Sequence, residues 1–219
     1  LFFYVDLNGY WQPESDSWAS YCEPGLEWKP VSNFTLRVGP SLERAVEDAQ
    51  YVDTINDPTA TITYGNRYLF STLDQTTLAA NIRMSVAFTP NVSVQFYGQP
   101  LISSGAYTRF KELARGRTYD FNVYGEANGS TITYDATGNF YVVDPDGGGP
   151  ASSFGIGNPD FNYVSMRGNA VLRWEYLPGS TLFFVWTHNA TDTAPYGNFN
   201  FDESSQRLMD APGDDIFLV

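Results

Sequence analysis

His188 is the sole histidine among 219 residues, so a Ser-His-Asp relay or a histidine metal site would have to be built around it. Asp192 is near in sequence, but no Gly-x-Ser-x-Gly turn supplies a nucleophile, and Ser165 and Ser180 have no activating context. Asp144 and Asp146 before Gly147 resemble part of a Ca²⁺ loop. The full acidic spacing is missing, however, and Pro145 and Pro150 point to a plain turn-rich loop. Glycoside hydrolysis needs two carboxylates at a set separation, and nothing among the 25 acids singles out such a pair. The chain reads as a non-enzyme without metal or cofactor, with His188 at the rim of its fold.

Composition narrows the classes further. A formal charge of −13 leaves no basic patch to pair with phosphates, which argues against a nucleic-acid partner. Cys22 is the only cysteine, so no internal disulfide can form. No run of about 18 apolar residues exists, so no transmembrane helix is expected; strands that cross a membrane alternate and escape that criterion. Aromatic content is high at 16%, as suits β-surfaces and membrane interfaces.

The elements that must position any function are strands. From Leu78 to Phe88, Leu78, Ala80, Ile82, Met84, Val86 and Phe88 fall on one parity and small or polar residues on the other. Successive strand side chains point to opposite faces, so one face is apolar. After Pro90-Asn91 the alternation resumes with Val92, Val94 and Phe96, a hairpin signal. Leu172 and Trp174, then Leu182, Phe184 and Trp186, repeat it around Pro178-Gly179. Tyr68 to Leu78 keeps the same parity, so one strand is expected from about Asn66 to Phe88. Its strictly apolar second half fits the ~9–11 residues that a tilted strand needs to cross a bilayer.

Eight strand candidates are joined by long and short connections in strict alternation. The tight turns are Pro30 to Asn33, Pro90-Asn91 and Pro178-Gly179. The long connections are Gln12 to Pro24, Asp53 to Thr61, residues 105–159 and Asn189 to Gly213. Residues 105–159 are expected to hold a short helix at Lys111 to Arg117 and a small hairpin, Thr131 to Asp135 with Asn139 to Val143. An up-and-down meander gathers such short turns at one end and long loops at the other, the asymmetry of outer-membrane barrels. Arg37, Glu43, Arg83, Arg173 and Glu175 lie on the polar parity, where they would face a wet lumen and pair across strands. The apolar list would then face lipid, with Trp28, Phe34, Phe88, Trp174 and Tyr176 as an aromatic girdle near the tight turns. The expected fold is all-β: an antiparallel up-and-down meander, one partial barrel over residues 1–219 with long extracellular loops. The chain begins inside an alternating run and stops in Ile216-Phe-Leu-Val219. This reads as a piece of a longer protein, closed by the rest of the polypeptide or by a partner chain.

Several strings carry a resemblance. Leu73-Asp-Gln-Thr-Thr-Leu78, Phe88-Thr-Pro-Asn91, Gln99-Pro-Leu-Ile-Ser-Ser-Gly105, Phe110-Lys-Glu-Leu113, Asn158-Pro-Asp-Phe-Asn162, Arg167-Gly-Asn-Ala-Val-Leu-Arg-Trp-Glu-Tyr176 and Pro178-Gly-Ser-Thr-Leu182 resemble one bacterial family. Its members carry an N-terminal domain similar to a family-9 carbohydrate-binding module, followed by an outer-membrane barrel region of unknown function. The resemblance covers most of the chain from about Phe34 onward; the first thirty residues and Tyr124 to Ser153 are less familiar. It implies the C-terminal strands of a Gram-negative outer-membrane barrel: a channel or surface scaffold with membrane lipid as partner, associated with carbohydrate binding or uptake through the N-terminal domain. It supplies no catalytic residues. The competing reading is a soluble carbohydrate- or ligand-binding β-sandwich or β-barrel, with exposed Trp18, Tyr21, Tyr119 and Tyr124 stacking on sugar rings.

Overall fold

A computed structural model describes residues 1–219. In chain order the strands are β1 (Phe2–Gln12), β2 (Ser17–Trp28), β3 (Phe34–Asn56), β4 (Asn66–Thr89), β5 (Val92–Leu113), β6 (Phe121–Val123), β7 (Thr131–Asp135), β8 (Phe140–Asp144), β9 (Phe154–Gly157), β10 (Phe161–Leu177), β11 (Ser180–Ala194) and β12 (Gly213–Leu218). One α-helix, α1 (Phe201–Asp210), precedes β12. The main sheet is an antiparallel meander in the order β1-β2-β3-β4-β5-β10-β11-β12, with β6 added to the end of β5; β7-β8-β9 form a second small sheet. β1 and β12 each pair with one neighbour only, so the sheet is open at both edges.

The three tight turns sit where Pro, Asn and Gly put them. Asn33 Nδ2 donates to Ala87 O at 2.8 Å, tying the first turn to β4, and Gly179 supplies the left-handed φ of +79° in the third. β4 runs unbroken through Asp74-Gln75 to Thr89. The hairpin expected at Thr131 to Val143 is present as β7 and β8.

Other expectations need correction. Gln12 to Pro24 is not a long loop: β1 and β2 pair from Gln12↔Ser17 to Phe2↔Glu27, leaving only Pro13 to Asp16 as the turn. The strict long–short alternation therefore fails at its first member. β3 reaches Asn56, so the next connection starts at Asp57 rather than Asp53. β5 continues past Gly105 to Leu113, so the insert begins at Ala114 and contains β6 to β9. The helix expected at Lys111 to Arg117 is absent; Lys111 to Leu113 pair with β6, and Arg117 has a left-handed φ of 63°. The last connection is not bare loop. β11 extends to Ala194 and α1 follows, with the Asn200 side chain accepting from the Glu203 amide to cap its first turn.

The largest hydrophobic cluster lies at the far tips of β3, β4 and β5, beyond the level where β10 begins. Leu69, Phe110, Tyr124, Val143 and Ile156 are buried together there. Two of the three tips carry β-bulges, β3 near Ala49 and Val52 and β5 near Arg109, the last at φ 49°. The small sheet β7-β9 covers the face of β4 that carries Leu69. A second cluster, Ile102, Val164 and Leu208, forms where α1 lies on the opposite face of β5 and β10. The half of the sheet nearer the tight turns has no cover from any other element of the chain.

Candidate functional surface

Residues directly opposite on neighbouring strands share a face. The register therefore places the apolar list together. Leu36↔Met84↔Phe96↔Ala170↔Trp186 is one continuous row, and Phe34↔Val86↔Val94↔Leu172↔Phe184 is the next. Leu78, Ala80, Ile82, Phe88, Val92, Trp174 and Leu182 fall on the same side, and β1 adds Phe3, Val5, Leu7 and Trp11. None of the fourteen residues expected to face lipid is buried, and Phe88 is 64% exposed. A contiguous apolar face left uncovered by the rest of the chain marks a surface made for contact with lipid or with another protein. Near the tight turns Trp28 meets Phe34 edge-on at 5.6 Å and Trp174 meets Tyr176 at 6.0 Å, on that same face.

Arg37, Glu43, Arg83, Arg173 and Glu175 all sit on the other face. Arg37 Nε donates to Glu27 Oε2 at 2.6 Å across strands. Arg173 pairs at 2.9 Å with Glu175 of its own strand, and Glu43 makes no ion pair. Arg83 has no carboxylate and lies over the Tyr97 ring at 5.3 Å. Between Tyr4, Glu27, Arg37 and Arg83 runs an open groove of about 390 Å³. Gln75, Thr77 and Ser103 continue the hydrogen-bonding surface loopward. Such a face suits water and polar solutes.

The residues weighed for chemistry are held in structural pairs. His188 Nδ1 lies 3.0 Å from Asp215, which also accepts from Trp186 Nε1 at 2.7 Å. Asp192 is taken by Arg207 of α1. Ser165 is buried in β10 and Ser180 opens β11. Asp144 accepts from the amides of Asp146 and Gly147, and Asp146 from those of Gly149 and Ala151, so both stabilise turns. The aromatics offered for sugar stacking are scattered. Tyr124 is a core residue, Tyr21 bonds Glu23 on the polar face, Trp18 lies on the apolar face, and only Tyr119 is exposed.

Sequence reasoning passed over two buried ion clusters at the strand tips, because their members lie far apart in the chain. Arg67 donates to Asp57 at 2.6 Å and to Glu112 at 2.5 Å, and the Tyr124 hydroxyl donates to Glu112 at 3.0 Å. Burial, reinforced by the Glu112 charge, pushes the Tyr124 hydroxyl far above the ordinary phenol range. Burial alone would raise Asp57, but hydrogen bonds from Thr59 and Arg67 outweigh it and hold the carboxyl below its usual value. On the other face Lys111 Nζ reaches Asp48 at 2.6 Å and lies over the Phe121 ring at 4.9 Å. Every charge in these clusters has its partner, so they brace the tips rather than offer a free base or nucleophile.

A scan against protein-family models, a search of curated proteins and a search of solved structures each return no match for this chain.

Proposed function

We propose that this chain is a section of a bacterial outer-membrane β-barrel, acting as a channel or surface scaffold, whose remaining strands come from the same polypeptide or a partner. The carrying observation is the bare apolar band. In Leu78 to Phe88 it spans a length that crosses a bilayer at ~45° tilt, and it has aromatics at its turn end and hydrogen-bonding side chains behind it. Hydrocarbon would cover that band without requiring any protein layer. Open edges at β1 and β12 fit a wall that closes through further strands. An association with carbohydrate binding or uptake rests on the family resemblance alone.

Fractionation of cells making the protein tests the reading. The protein is expected in the outer-membrane pellet, resistant to high salt and released by detergent. Recovery in the aqueous supernatant overturns it.

A further inference from the structure

Residues on one register row share a position along the strands. The row through Phe3, Leu26, Val38, Ile82, Gly98, Gly168, His188 and Asp215 crosses all eight strands of the meander. It begins in bare apolar residues, with Phe3 62% exposed, and ends in a bonded histidine–carboxylate pair. A bilayer lying parallel to that row would bury the pair at the depth of Phe3.

The loopward edge of the apolar band is instead oblique. On β1 and β2 it reaches Trp11 and Trp18, eight residues loopward of the row. On β3 and β4 it reaches Leu42 and Leu78, four residues loopward, where Arg44 and Asp74 take over. On β11 and β12 it stops at Trp186 and Phe217, two residues on the turn side. The tight turns step the same way: Trp28, Phe88 and Leu177 lie two, six and nine residues turnward of the row.

Cover by protein follows the same line. Ile102 and Val164 sit four residues loopward on β5 and β10, above the oblique edge, and these two are buried beneath Leu208 of α1. Their apolar neighbours below the edge, such as Phe96 and Leu172, are only half-buried, with no element of the chain lying over them.

The edge falls ten residues across seven strand spacings. That is roughly 33 Å along the strands against roughly 34 Å across them, an angle of about 45°, matching the tilt that closed barrels require. Leu78 to Phe88 then spans about 23 Å of height, close to the ~25 Å apolar band of outer-membrane barrels. We infer that the bilayer crosses this sheet obliquely, with Trp11, Trp18, Leu42, Leu78, Trp186 and Phe217 at its outer boundary, and that α1 covers the apolar residues of that face that emerge above it. This assignment rests on the barrel reading and adds the tilt and the boundary residues to it.

Depth-dependent quenching tests it. In a Cys22→Ser background, single-cysteine variants at Phe3, Trp11, His188 and Phe217 of the intact protein are labelled with a fluorophore. They are then placed in phosphatidylcholine vesicles carrying spin labels at a shallow or a deep acyl position. Trp11 and Phe217 should report equal, shallow depths, although ten residues apart in register. Phe3, eight residues inside the boundary, should report a deeper position than His188, two residues outside it, although the two share one row. If His188→Cys fails to assemble, the Trp11 and Phe217 comparison still decides. Equal depth for Phe3 and His188, with Trp11 and Phe217 apart, overturns the oblique assignment while leaving lipid contact intact. No quenching at any site overturns the barrel reading itself.

Discussion

Arg37 stands directly opposite Arg83 in the β3–β4 ladder, and neither guanidinium is left to face the other. Arg37 turns to Glu27 at 2.6 Å, and Arg83 lies over the Tyr97 ring. Like charges on one rung repel, so this arrangement depends on the two diversions. Glu27→Gln should lower stability against denaturant in vesicles, and added salt at about 1 M should narrow the gap from the parent by screening the arginine pair. A salt-independent loss would show that Glu27 acts through packing.

Parity should govern assembly. Ile82→Arg places a charge in the apolar band and should cost about 2–4 kcal/mol of membrane stability, whereas Ser85→Arg on the polar face should cost much less. Folding titrations into lipid vesicles read both. Equal losses would remove the distinction between the faces.

Arg67 neutralises two buried carboxylates at the strand tips. Arg67→Met should cost about 3–5 kcal/mol, because Asp57 and Glu112 remain buried without their cation. Hydrogen exchange should show the loss first in β6 to β9 and the tips of β3 to β5, with the rows below Leu78 still protected.

Acid should loosen the same region. Asp57 and Asp48 ionise below the usual carboxylate range: in each case burial opposes ionisation, while Thr59 and Arg67, or Lys111 and Thr72, outweigh it. A depressed folded value means the stabilisation is complete above the unfolded value of about 4 and is lost as pH falls through the folded value. Proteolysis within 114–160 should therefore accelerate below about pH 4, not above neutrality.

Ser71 Oγ is buried in β4 without a hydrogen-bond partner. Ser71→Ala removes an unmet donor at nearly constant volume, so thermal unfolding should be unchanged or shifted upward.

Much of the sheet was legible because its strongest signal, side-chain alternation, is local. Leu78 to Phe88 announced its strand, and Pro90-Asn91 and Pro178-Gly179 their turns. Ser17 to Pro24 did not, since Ser, Cys, Glu and Pro alternate weakly; its pairing is dictated by β1 and β3 on either side. The α1 helix had a signal, Asn200 three residues before Glu203, in a segment whose apolar face is thin. The tip clusters had none. Arg67 with Glu112 and Asp48 with Lys111 become neighbours only once β4 and β5 have paired.

Leu69 is shielded from water by Tyr124, Val143 and Ile156, which lie 55, 74 and 87 residues further along the chain. Closing that cluster brings together residues far apart in the chain, whereas β4 and β5 join through the two-residue turn Pro90-Asn91. Sequence separation thus makes the cap over the strand tips one of the last parts of the molecule to mature.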